Sequence, residues 1–146
     1  MLLKLIYYPN KKLREKSKKV NKINFKIKNI IYNMFKLMYK KKGIGLAAIQ
    51  IGINKKIFII DISKNNNKKL IFINPKILKQ KGKIFLNEGC LSIPNFFGTI
   101  KRYSYIKIMA LNLNNNVFIS KFINIKSVCV QHEIDHLNGK LFIDFL

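Results

Sequence analysis

Residues 131–137 read Gln131-His132-Glu133-Ile134-Asp135-His136-Leu137, inside a longer run from Asn124 to Leu137 that suits one helix closed by Asn138-Gly139. On a helix, side chains at i and i+4 leave the same face one turn apart, so His132 and His136 can share one ion. Glu133, beside the first histidine, is placed to handle the proton of a water bound to that ion. The chain has two histidines and both lie in this motif. We therefore read the segment as a metal site and not as a structural pair.

A catalytic ion of this type keeps three protein ligands and one open position. The ten residues after His136 contain no His or Glu and only Asp144 as a carboxylate, so the third ligand is expected upstream. Cys129 shares roughly the same helical face, but at ~1.5 Å rise per residue it lies about 7 to 8 Å along the axis from the midpoint of the histidine pair. Cys90, in Asn87-Glu88-Gly89-Cys90-Leu91-Ser92-Ile93-Pro94, is expected to follow a strand and to sit beside a glycine, where backbone can turn toward an ion. A thiolate on a divalent ion is deprotonated outright. Cys90 is the expected ligand and Cys129 a pocket wall.

Working outward, Phe25, Ile27, Ile30, Ile31, Met34, Phe35 and Met38 recur at 3.6-residue spacing and predict an amphipathic helix from Asn24 to about Lys41. The lysines on its polar side read as a solvated face. Asn10 to Val20 reads as a short helix or turn. From residue 57 the texture changes to short β-branched and aromatic runs, predicting strands at 57–61, 70–74, 83–86, 105–111 and 117–123. Asn65-Asn66-Asn67 and Asn114-Asn115-Asn116 punctuate them, so neighbours are expected to pair antiparallel through hairpins. No linker or repeat interrupts residues 1–146, which read as one domain. The fold class is α+β: antiparallel β-strands packed around a C-terminal helix bearing HExxH, with an N-terminal amphipathic helix.

The charge of +23 invites a polyanion partner. Of the 29 basic side chains, however, 27 are Lys and only Arg14 and Arg102 are Arg, while Ile and Asn number 26 and 18. These three residue types share A/T-rich codons, and a protein reading base edges favours Arg. Compositional drift explains most of the excess, and no specific DNA partner is expected. No apolar run approaches the ~20 residues of a spanning helix, and Met1 to Pro9 lacks a leader pattern. A cytoplasmic protein, bacterial or organelle-encoded, is the expectation. Two cysteines cannot form a disulfide scaffold.

A third segment, Gly43-Ile44-Gly45-Leu46-Ala47-Ala48-Ile49-Gln50, lacks the endings of phosphate-binding loops and offers small residues for close backbone approach, with Gln50 as an amide donor. Together the three segments, of form GxGxAAxQ, EGCLS and QHExDHL, resemble the peptide deformylase family in order and separation, and Tyr8-Pro9 with Leu13-Arg14 resembles its start.

That resemblance implies an enzyme that hydrolyses the N-formyl group from the initiator methionine of new polypeptides and releases formate. Cys90, His132 and His136 would hold one divalent ion, typically Fe2+ and often replaced by Zn2+, Ni2+ or Co2+. Glu133 would serve as general base and then acid, with the Leu91 backbone N–H and the Gln50 amide meeting the oxyanion. Gly45 and the Gly43 to Leu46 strip would align the substrate as an added strand. Ile44, Leu86, Ile125, Val128, Cys129 and the His132 ring would receive methionine. Glu88 and Arg102 resemble the family's structural ion pair, bracing the Cys90 segment. Asp135, a helical carboxylate among many lysines, reads as solvated.

Two departures stand out. Asn95-Phe96-Phe97 occupy positions where many relatives carry polar or charged residues, including an Arg that steadies the substrate. Many bacterial relatives continue past Leu141-Phe142-Ile143-Asp144 into a ribosome-contacting helix; on this reading ribosome contact would fall to surface lysines. The complete set of Cys90, Gln50, Glu133 and both histidines favours the enzyme over a basic rRNA- or nascent-chain-binding protein that has lost activity.

Overall fold

Asn24 caps the first helix: its side chain accepts a hydrogen bond from the Ile27 backbone N–H at 3.0 Å, satisfying one of the donors that a helix start leaves free. Helix α1, Phe25–Lys40, then buries Ile27, Ile30, Ile31, Met34, Phe35 and Met38 as one stripe. The structure, a computed structural model, describes residues 2–146. The basic segment before α1 contains one 3-10 turn, Lys11–Arg14.

The strands form two sheets. Strands β1 (Gly45–Ala47), β2 (Ile57–Ile60), β3 (Leu70–Lys81), β6 (Tyr105–Leu111) and β7 (Val117–Ile123) make one sheet in the order β1-β2-β3-β6-β7, antiparallel throughout. Strands β4 (Ile84–Cys90) and β5 (Ile93–Arg102) form a separate hairpin. The asparagine clusters do lie between β2 and β3 and between β6 and β7. Asn66 and Asn115 there take left-handed backbone, φ 51° and 61°, which asparagine tolerates better than most side chains.

Several boundaries differ from the sequence reading. β3 continues to Lys81, and β4 reaches Cys90, so the cysteine ends its strand and does not follow it. β5 went unread because Pro94, two phenylalanines and Gly98 break its alternation. β1 lies in the strip read as a place of close approach and of substrate alignment; three residues are too few to show a period.

Strand β2 is buried on both faces. Ile57 and Ile59 join the α1 stripe on one side. Phe58 and Ile60 join Phe72, Ile106 and Ile108 on the other, where Val130 and Leu137 arrive from α2 (Asn124–Leu137). The large sheet is thus covered by one helix on each face. Phe58 and Phe72 stack with ring centroids 4.5 Å apart, a pairing worth about 1 kcal/mol beyond burial. A third cluster, Leu13, Ile93, Ile100, Leu141 and Phe142, underlies the hairpin. No helix among the described residues is long and apolar enough to cross a membrane.

The end of α2 is pinned to the N-terminal segment. Ser17 N–H donates to the Leu137 carbonyl at 2.9 Å, and Arg14 pairs with Asp144 at 2.6 Å. Between them Gly139 has φ 73°, and a Cβ there would run into the Arg14 carbonyl. Gly139→Ala is therefore expected to lower stability by about 1–3 kcal/mol, read as a reduced urea midpoint at unchanged m-value.

Candidate metal centre and active site

Helix α2 supplies two donors from one face and the end of β4 supplies a third. His132 Nε2 and His136 Nε2 are 3.3 Å apart, and Cys90 Sγ is 3.4 Å from His136 Nε2. All three donors lie within 4.8 Å of one another. A tetrahedral ion with bonds of about 2.0–2.3 Å needs donors roughly 3.3–3.8 Å apart, so the group fits one ion. One thiol and two imidazoles suit iron, cobalt, nickel or zinc.

The histidines are aimed by their surroundings. Glu88 Oε1 lies 2.9 Å from His132 Nδ1; an ionised carboxylate only accepts, so Nδ1 carries a hydrogen toward it and Nε2 is the nitrogen turned to the site. Arg102 holds the same carboxylate with two bonds, Nε to Oε2 at 2.7 Å and Nη2 to Oε1 at 2.8 Å. Burial works against ionisation of Glu88, but the Arg102 and His132 hydrogen bonds outweigh it and keep the carboxyl below its ordinary value.

Arg102 also pairs with Asp135 through Nη1. This corrects the reading of Asp135 as solvated: its side chain is 17% exposed and braces the guanidinium from the helix side. Two buried imidazoles this close are not both cationic. Burial and the charge of His132 hold His136 well below its ordinary value. Burial opposes protonation of His132 too, but hydrogen bonds with Cys90 and Glu88 lift it to about 10, so an ion bound at Nε2 would displace a proton from it.

Glu133 is buried, and its Oε1 has no hydrogen-bond partner among the described residues. Burial pushes the carboxyl up to about 7, where it can both take and return a proton near neutrality. Gly45, on the open edge of β1, makes room for it: a Cβ at Gly45 would lie 2.6 Å from Glu133 Oε2. Gln50 is buried nearby. Its Oε1 accepts from Ala47 N–H at 2.9 Å, so its Nε2 points to Ser92 Oγ at 3.1 Å and toward Cys90 Sγ at 3.6 Å.

These groups border a cavity of about 970 Å³. Gly43, Ile44, Gly45, Gln50, Leu86, Glu88, Cys90, Leu91, Ile125, Val128, Cys129, His132 and Glu133 all line it, while His136 and Arg102 sit buried behind. Burial pushes the Cys129 thiol up to about 12, so it stays protonated as wall. Three contributors were not read from sequence. Ser92, fully buried, orients the Gln50 amide, although it stands in the quoted EGCLS segment. Gln131 and Ser127 fasten α2 to the Tyr103 carbonyl at 2.7 and 2.9 Å; Gln131 stands in its motif, yet nothing in the sequence placed it beside Tyr103.

Comparison with known proteins gives one consistent likeness. A family model described as polypeptide deformylase matches residues 2–146. The chain is 50% identical to a peptide deformylase of Baumannia cicadellinicola over 145 residues, covering 99% of this chain and 87% of that protein. It superposes with a TM-score of 0.97 on the crystal structure of a peptide deformylase from Legionella pneumophila, at 36% identity, covering 100% of this chain and 86% of the other. For a peptide deformylase from Synechococcus elongatus in complex with actinonin the TM-score is 0.96, at 36% identity and coverage of 99% and 80%.

The brace on His132 has a measurable consequence. Glu88→Gln keeps an acceptor for His132 but removes the charge that faces Arg102. It is expected to weaken Zn2+ affinity about 10- to 100-fold in chelator competition, with unchanged far-ultraviolet circular dichroism.

Proposed function

Because the chain belongs to the polypeptide deformylase family, it is a metal-dependent hydrolase that removes the N-formyl group from newly made polypeptides, and we propose that its reaction runs in the cavity bordered by Cys90, His132 and Glu133. The observation that carries this placement is the convergence of three donors from two elements beside a buried, unpartnered carboxylate.

In this reading Cys90, His132 and His136 hold a divalent ion, Fe2+ in the cell, with Zn2+, Ni2+ or Co2+ able to replace it. Such an ion, when bound, polarises the formyl carbonyl and acidifies a water. Glu133 takes that water's proton and returns it to the departing amine, a role suited to a carboxyl near neutrality. The Gln50 amide and the Leu91 backbone N–H are donors set in place before charge develops on the carbonyl oxygen. The open edge of β1, with Gly43 and Gly45, receives the peptide backbone as a further strand. Ile44, Leu86, Ile125, Val128 and Cys129 take the methionine side chain, an unbranched thioether that fits an irregular apolar pocket.

The substrate is a nascent formyl-methionyl chain, which places the enzyme where translation occurs, in the cytoplasm. The lysine-rich surface would give it transient contact with ribosomal RNA, with a steep fall in affinity as salt rises. Metal analysis of protein purified without oxygen, paired with formate release, distinguishes Fe2+ from its replacements.

Glu133→Ala is the direct test. The variant is expected to retain one equivalent of metal while formate release from formyl-Met-Ala-Ser falls by at least about 100-fold. Full retained activity would overturn the role given to Glu133.

A further inference from the structure

Strands β4 and β5 fall out of step at Gly89. Glu88 pairs with Gly98 and Cys90 pairs with Ile93, so Gly89 alone faces the four residues from Pro94 to Phe97. Asn95 turns the excess chain through left-handed backbone, φ 63°. The two adjacent aromatics then part. Phe96 turns to Phe142, ring centroids 6.1 Å apart, and Phe142 stacks in turn on His132 at 6.3 Å. Phe97 lies over Gly89, where a Cβ would stand 2.7 Å from its ring. The ring therefore rests on bare backbone, yet the residue is 65% exposed and borders the cavity.

That cavity, at about 970 Å³, is at the upper end of those that enclose drug-sized ligands. It exceeds what formyl-methionine alone fills, which leaves room for residues beyond the methionine. Of the carboxylates that line it, Glu88 is bonded to Arg102 and His132 and Glu133 is buried at the reacting end, while Lys41 and Lys42 also line it. A basic side chain finds no counter-charge there. An apolar one finds a fixed aromatic face.

We propose that Phe97 is a specificity-determining residue, its open ring face receiving an apolar or aromatic side chain from one of the two residues after formyl-methionine. The proposal rests on the reading of this cavity as the deformylation site. The contact is made alike in the bound substrate and in the transition state, so it is uniform binding and shows mainly in KM.

The test compares kcat/KM of the metal-loaded protein on two series, formyl-Met-Xaa-Ser and formyl-Met-Ala-Xaa, with Xaa as Phe, Ala or Lys. In one series Phe is expected to exceed Ala by about three- to tenfold, the scale of an aromatic pair, with Lys below Phe. Phe97→Ser should bring the Phe/Ala ratio near one and Phe97→Leu should leave it intermediate. Phe85→Ser, at an exposed ring of the same hairpin outside the cavity, should keep the original ratio. Flat series in the unaltered protein, or a ratio unmoved by Phe97→Ser, would overturn the proposal. Absence of formate release from every peptide would instead overturn the placement of deformylation on which it rests.

Discussion

The carboxylate of Glu88, buried between the guanidinium of Arg102 and the imidazole of His132, joins the β4–β5 hairpin to helix α2. Removing a carboxylate from water costs several kcal/mol, and the cost is recovered only when its oxygens are well bonded. Here three hydrogen bonds meet it, and Asp135 steadies the far side of Arg102. No member can shift alone without stranding a buried charge. The position of His132 is consequently set by an ion-pair network that spans two elements, and the pocket behind Cys90 inherits that rigidity.

Much of this was legible in the sequence, for reasons that differ by element. The α1 stripe repeats over four turns, and the histidine pair obeys a fixed helical spacing, so periodicity exposes both. β5 escaped because its extra residues opposite Gly89 destroy alternation, and β1 because three residues carry no period. Residue type and spacing pointed to Cys90 as a ligand, but not to its place at the end of a strand. Asp135 was misread because its partner, Arg102, is 33 residues away in the chain; only the fold brings a hairpin end against the helix. Charge composition describes an average surface and is silent about which carboxylates leave it.

The biased composition has been accommodated at particular positions. Among the described residues, five of the six non-glycine residues with positive φ are asparagines: Asn66, Asn74, Asn95, Asn115 and Asn124. Asparagine tolerates left-handed backbone better than most side chains, and Asn74 also ties distant chain together, exchanging bonds with both the N–H and the carbonyl of Val20, 54 residues away. Turns that other proteins build with glycine are thus built with a residue that is less free in the unfolded chain.

The donor triad draws on two separately formed parts, a helix lying against the large sheet and a hairpin resting on its own small cluster. An ion held by Cys90, His132 and His136 is then a cross-link between them as much as a reagent. Ligand binding to the native state alone raises its stability by the logarithm of concentration over dissociation constant. Folding and catalysis would then answer to the same free-ion concentration, so scarcity of metal would shorten the life of the polypeptide while it silenced the site.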